Sequence, residues 1–575
     1  MEDTLPKDEK PRASALLEHT DIIHPIFKYF IPLQLHPQRA LIPQLQLRAG
    51  WRKELLNLAL VCKAFHGPAI DCLWSHLDSL TPLLKLHPGL RVVNGSYFFL
   101  GNIWPSLGDV EDPKASVFHH CARAVRSITL KAGEDKTLPL SLAGIAWLGQ
   151  QLKGVPLMPG LRRICFSDPK SDTVYMGLLP LVLSPSIETV EFTGAFLSED
   201  IFNSYALPLV CSTVRSIRHL TLHDENTVSH PALWESLPTE LAKLQLQSLT
   251  LRFPNNPTLT PAFLSQIGRN LEHLTSLTLD IHTPSHGPSA EELSKVLFPS
   301  LTTLELVNRS NCNVCQCYPR FLLQKATSMS FHLSTNALEN DTFAATVETL
   351  STVQPLREVR MHGNFTINVG PLLPFLRTLN LESFRLDNAH IGVEDSNGQD
   401  VTQLIDAAYD DDGQKRKRCL QEFTTPLRVW NNAVGDIGIS ISSLVHIARH
   451  ARGLQRISLT LNSAAYGSDH KTLASIIDSW VAPDTPSTII HLDIYDRRSK
   501  STFTSADFTS AECRDLARLL DTIFPELESL TMMKGRPVTQ WDEDWETIEE
   551  NRRMRKALRI SGRSVEDYRT TERTW

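Results

Sequence analysis

The sequence predicts an α/β solenoid: parallel strands stacked side by side, with helices returning the chain along the convex side. Three observations carry this. A six-residue pattern (apolar, two variable, apolar, one variable, apolar) recurs from "VRSITL" at Val125 to "LESLTM" at Leu527. Successive copies from Leu161 to Leu356 are separated by 26, 30, 29, 28, 27, 25 and 30 residues. The stretches between copies have apolar residues at helical spacing. The last two apolar positions of each copy alternate with polar ones, as in a strand with one buried face. One such strand cannot bury its row alone. Stacking many in parallel makes a continuous core and leaves the alternate residues on an open concave face.

Bulk properties bound the rest. At 575 residues the chain exceeds one ordinary domain, and at 42% hydrophobic it has ample core material. Net charge is −7, which argues against nucleic acid as a partner, since phosphate binding wants a basic face. No apolar run approaches the ~20 residues of a membrane span. The polar opening "MEDTLPKDEKPRAS" lacks the apolar core of a secretory signal. The ten cysteines have no framework spacing, and read as reduced thiols in a cytoplasmic or nuclear protein.

In chain order, residues 1–15 read as a disordered N-terminus and 16–88 as a small helical module. "HTDIIHPIFKYF" (19–30) has Ile22, Ile23, Ile26 and Phe27 on one face, and "LLNLALVCKAFHGPAIDCLW" (55–74) reads as a helical hairpin broken at Gly67 and Pro68. Leu55, Leu58, Ala59, Cys62, Phe65, Ala69 and Leu73 form its stripe, with Leu56 and Leu60 on a flank. A hairpin here caps the first repeat. Its broad apolar surface also suits two partners, one inside the chain and one outside. "LWSHLDSLTPLLKLHP" (73–88) continues the helical reading.

The array runs over 89–540. After Val125, copies start at Leu161, Ile187, Ile217, Leu246, Leu274, Leu301, Ala326, Leu356 and Leu376, then at Leu454, Ile489 and Leu527. Helices are expected over 260–274, over 287–301 with Ser289 and Glu292 at capping-box spacing, over 440–454 and over 510–527. The 78 residues between Leu376 and Leu454 leave room for a degenerate repeat near "LQEF" (420–423) and an insertion at about 387–420. Its "KRKR" (415–418) reads as a solvated loop or as a nuclear-import signal. "WDEDWETIEENRRMRKALRI" (541–560) runs from acidic to basic, which suits a helix dipole, with Trp541, Trp545 and Ile548 to pack it as a cap on the last repeat. A partner-binding helix is its other reading.

The N-terminal residues resemble the F-box domain of fungal F-box proteins, and the repeats resemble an irregular leucine-rich-repeat array. The first rests on Leu55–Cys62, the Cys62-Lys63-Ala64-Phe65 step, Pro68 through Trp74, "LDSL" and "PLL", with 19–30 as the first helix and 31–52 between the halves. The resemblance implies a substrate receptor of an SCF-type ubiquitin ligase. Its module would bind a Skp-family adaptor, and through it a cullin, by Ile22, Ile26, Phe27, Leu55, Leu58 and Leu60. The repeats would hold a protein substrate. A repeat scaffold without a cullin is the alternative, and a hydrolase or transferase sited in 382–450 a third.

On the strand face the alternate positions hold Ser248, Thr250 and Arg252, then Ser276, Thr278 and Asp280, Ser328, Ser330 and His332, Glu358, Arg360 and His362, and Arg456, Ser458 and Thr460. Arg252, Asp280, His332, Arg360, His362 and Arg456 are the candidate substrate contacts. The arginines are chosen as anchors for carboxylate or phosphate. No catalytic, cofactor or metal motif is found. Cys312, Cys315 and Cys317 lack a second ligand pair for zinc. His219 and His223, beside Asp224 and Glu225, suit a polar binding surface better than acid–base work.

Overall fold

The computed structural model describes residues 26–27, 44–87, 90–93, 96–99, 113–131, 142–152, 154–167, 173–225, 231–255, 261–281, 297–308, 320–323, 325–333, 340–353, 355–363, 366–367, 369–387, 390–391, 399–409, 420–425, 439–463, 472–483, 486–496, 508–532 and 540–561. Ile22, the cysteines at 312–317, residues 287–296 and the KRKR run lie outside this set. The chain is α/β and divides into two compact units, Met1–Asn256 and Pro257–Trp575.

The first unit includes two successive helices, α1 (Gln44–Val61) and α2 (Lys63–Trp74). The reversal between them falls at Cys62, whose backbone is extended (φ −157°, ψ 163°), and not at Gly67-Pro68 as the sequence suggests. Pro68 is buried inside α2. Its missing N–H withdraws one helical bond, while the Ala69 and Cys72 side chains on the same helix are sealed in the core. At the reversal the His66 ring donates from Nδ1 to the Ala59 carbonyl (3.2 Å), one of the acceptors left over at the end of α1. Of the helical expectation for 73–88, Leu73 and Trp74 close α2 and Thr81–Lys85 forms a short helix. His76–Leu77 is instead the first strand, β1, pairing in parallel with Ser127 and Ile128.

Five further parallel strands follow: β2 (Ser127–Lys131), β3 (Arg163–Ser167), β4 (Thr189–Thr193), β5 (His219–His223) and β6 (Ser248–Phe253). Parallel neighbours need long crossovers. Helices Leu142–Leu152, Thr173–Val182, Leu207–Thr213 and Pro231–Leu241 supply them. All three apolar positions of each hexad in this unit are buried, as with Leu161, Ile164 and Phe166. The position after the first apolar residue carries a ladder of its own: the amides of Arg162, Glu188 and Arg218 donate to Arg126, Arg162 and Glu188 carbonyls, each at 2.8 Å. Hydroxyls satisfy the turn carbonyls: Ser186 Oγ donates to Leu161 O (2.8 Å) and Ser216 Oγ to Ile187 O (2.7 Å). Serine hydroxyls thus bridge the turns that lead into successive hexads. Phe166 and Phe192 stack at 4.9 Å, and Phe202 meets Phe192 edge-on at 5.1 Å.

His87 is buried between the edges of Phe118 and Trp147. Burial, then the neighbouring His119, lowers its pKa from 6.5 to about 4. A histidine held neutral binds fewer protons folded than unfolded between those values. Its contribution is therefore complete above pH 6.5 and lost as pH falls toward 4. The loss is on the order of 3 kcal/mol. Urea midpoints measured from pH 7 to 4 should fall along this slope, and His87→Phe should flatten it.

Among the described residues, nine parallel strands of the second unit lie in the main sheet: β7 (Ser276–Ile281), β8 (Thr303–Asn308), β9 (Ser328–Leu333), β10 (Glu358–Gly363), β11 (Ser383–Asp387), β12 (Glu422–Thr424), β13 (Arg456–Leu461), β14 (His491–Asp496) and β15 (Ser529–Met532). "LRTLNL" at Leu376 is not a strand. Leu372, Phe375, Leu376 and Leu379 form the buried face of helix Leu372–Thr378 and its C-terminal cap, and the strand comes next in the overlapping hexad Leu381, Phe384, Leu386. The long interval to Leu454 therefore carries β11, the helix Gln399–Tyr409 and β12 at "LQEF".

Gly268, in helix Pro261–Asn270, is there for close approach. A Cβ would lie 2.7 Å from the Phe298 ring. Phe298 is fully buried at φ 52° and donates its amide to Gly268 O (3.1 Å). Gly268→Ala is expected to cost about 1–3 kcal/mol despite alanine's better helix propensity, read as a lowered urea midpoint.

The last two described helices are Ser510–Ile523, with a full Thr509/Glu512 capping box, and Gln540–Ser561. Trp545 and Ile548 of the latter are buried, and Trp545 Nε1 donates to Asp496 (3.0 Å). The Trp541 side chain lies outside the described set.

Candidate functional site

The N-terminal module has its own core. Phe27 packs edge-on against Phe65 (centroids 5.4 Å apart) and joins Trp51, Leu55, Ala59, Ala69 and Cys72 in one buried cluster, with Leu58 packed on its margin. Phe27 and Leu55 are 2% and 0% exposed, so they hold the module together and present nothing to a partner. Ile26 (51%) and Leu60 (77%) point outward. Leu56 (48%), one helical turn before Leu60, and Val61 (66%) are exposed on α1 as well. The six residues inferred from sequence thus separate into core, margin and surface, with Ile22 outside the described set. Val61 is new to the set, and Leu56 belongs to the exposed face. Both follow from helical geometry once the break is placed at Cys62. Arg52 fastens α1 to the array, donating to His76 O (3.1 Å) and pairing with Asp78 (2.9 Å).

The strand-face row is not the free set of anchors that its sequence suggests. Arg360 pairs with Asp387, and Arg456 with Asp493 (3.1 Å) and Glu422 (3.7 Å). Arg385, which sequence reasoning did not single out, meets Glu422 at 2.7 Å, and Arg163 meets Glu191 at 2.6 Å. Register explains the pattern. Arg360 sits directly opposite Arg385, and like charges at that spacing repel. Carboxylates on neighbouring strands neutralise them diagonally. Asp280 is buried, as is Glu305, which takes a hydrogen bond from Thr278 (3.2 Å) and lies 3.0 Å from His332 Nε2. His332 and His362 rings lie 5.0 Å apart. Burial, then His332, lowers the His362 pKa, against the pull of Asp387 and Glu305. Arg252 is half-buried. Glu305, Asp387, Glu422 and Asp493 are the residues missed. They are legible only when alternate positions are compared across neighbouring strands instead of along each one.

His223 lies 3.1 Å from Glu225, and Asp224 is buried and accepts from Ser198 Oγ (3.1 Å). His219 has a lowered pKa, from burial first. This is a structural hydrogen-bonded corner. Among the described residues no group of three or more His, Cys, Asp or Glu side chains is placed to hold a metal ion, and no helix is long and apolar enough to cross a membrane. No family model matches the chain, and no curated protein matches it.

Proposed function

We propose that the chain is a substrate-recognition subunit of an SCF-type ubiquitin ligase. The helical module docks on a Skp-family adaptor that bridges to a cullin, and the irregular leucine-rich-repeat-like array contacts a protein substrate. The observation that carries this reading is the outward set Ile26, Leu56, Leu60 and Val61 on a module whose core is already closed without them. Exposed apolar side chains gathered on one small module suit a protein partner. The chain itself makes and breaks no bond in this role. The charge-paired strand face suits a folded protein that exchanges ion pairs with it, since a small molecule would want an enclosed, mostly apolar pocket.

Affinity capture of the tagged full-length chain, read by mass spectrometry, tests it. Recovery of a Skp-type adaptor together with a cullin is expected. Recovery of other proteins without either would favour a scaffold that works apart from a cullin.

A further inference from the structure

On the helix side of the second unit, the helices Gln399–Tyr409 and Ile441–His450 and the segment after Leu473–Asp478 border a cleft of about 890 Å3. Its charged lining is Asp406, His446, Arg449, His450 and Arg452. Asp406 is engaged by His446 (2.8 Å). The His446 and His450 rings stack at 4.3 Å. Arg449 lies over the Trp480 ring, 5.0 Å from its centre. Among the described residues no carboxylate pairs with the guanidinium of Arg449 or Arg452, whereas Arg163, Arg360, Arg385, Arg456 and Arg552 each have one.

We propose that this cleft is a docking site for a phosphorylated peptide segment of a partner protein, with Arg449 and Arg452 as the phosphate clamp. The negative end of the helix dipole accounts for basic residues in the last turn. It does not account for a cleft, nor for Arg452 beyond the helix end. Two unneutralised guanidinium forks offer more donors than one carboxylate can accept, and match the three oxygens of a phosphate monoester. The Trp480 face holds Arg449 in place and leaves its N–H edge available. A cleft this size is too large for phosphate alone. Val481, 75% exposed, continues with Ala482 and Pro483 as an apolar lip for residues beside the phosphate. His450 has a lowered pKa, from burial first and then from His446, with Arg449 and Arg452 adding to it against Asp406. The assignment is independent of the adaptor reading.

The test is fluorescence anisotropy on the full-length protein. The probes are a labelled degenerate peptide pool with a central phosphoserine, matching pools with serine or glutamate there, and an oligothymidine of equal length. The phosphoserine pool is expected to bind at least about tenfold more tightly than the serine and glutamate pools and the oligothymidine. Arg449→Ala with Arg452→Ala should remove that preference at an unchanged melting temperature. Arg449→Lys, which keeps the charge but not the fork, should remove most of it and serves if the double variant is unstable. Equal binding of the serine pool, the glutamate pool or the oligothymidine would overturn the proposal. So would a phosphate preference that survives the arginine substitutions.

Discussion

Leu60→Asp is expected to abolish adaptor recovery and to leave the melting temperature unchanged within about 2 °C. Leu60 is 77% exposed, so a carboxylate there meets water in the free protein. At an adaptor interface the same carboxylate is buried without a partner, at a cost of several kcal/mol, or more than about a hundredfold in affinity. Leu55→Asp should behave differently. Leu55 is fully buried in the cluster that includes Trp51 and Ala69, so its replacement unfolds the module and loses the adaptor by that route. Co-purification and scanning calorimetry on both variants separate surface from core. Full adaptor recovery with Leu60→Asp would remove the exposed face from the interface.

Arg552→Ala should be among the most destabilising single changes in the second unit. Arg552 is 1% exposed, donates to Glu549 through Nε (2.6 Å) and Nη2 (2.8 Å), and reaches the Leu527 carbonyl through Nη1 (2.8 Å). It thus ties the last helix to the hexad that opens β15. Truncation leaves the buried Glu549 carboxylate short of a partner, at a cost of about 3–5 kcal/mol. Arg553, also paired with Glu549 (2.7 Å), keeps the effect toward the lower figure. Arg553 is itself exposed, and Arg553→Ala should cost under about 1 kcal/mol. Limited proteolysis should then release the C-terminal helix first in Arg552→Ala and not in Arg553→Ala. Equal stability of the two variants would contradict this.

The strands were legible because a buried parallel strand writes its apolar period directly into the sequence. From Val125 to Ile489 the hexads that became strands have their apolar positions sealed. Only the last strand, at the edge of the sheet, leaves Leu530 and Met532 half-buried. Ambiguity arose where two periods overlap. Leu376 and Leu379 satisfy a helical spacing and a hexad at once, and only the neighbouring Leu381–Leu386 frame resolves them. Gly67 and Pro68 misled because intrinsic propensity is weaker than core packing. His76–Leu77, two residues long, is too short for any period to register, and its pairing with β2 is set by the tertiary fold. The arginine pairs were hidden for a further reason. Their partners lie 25 or more residues away, and only register brings Arg360 to Asp387 or Arg456 to Asp493. The exposed face of α1 was half legible: Leu60 stood out, but core and surface leucines differ only by the angle that the break at Cys62 defines.

Isothermal titration of the purified full-length chain with a purified Skp-family adaptor decides whether the N-terminal module binds it as proposed. Saturable one-to-one binding at ~1 µM or tighter, lost on Leu60→Asp, is the expected result. No heat of binding at ~50 µM adaptor from a chain that calorimetry reports as folded would contradict it.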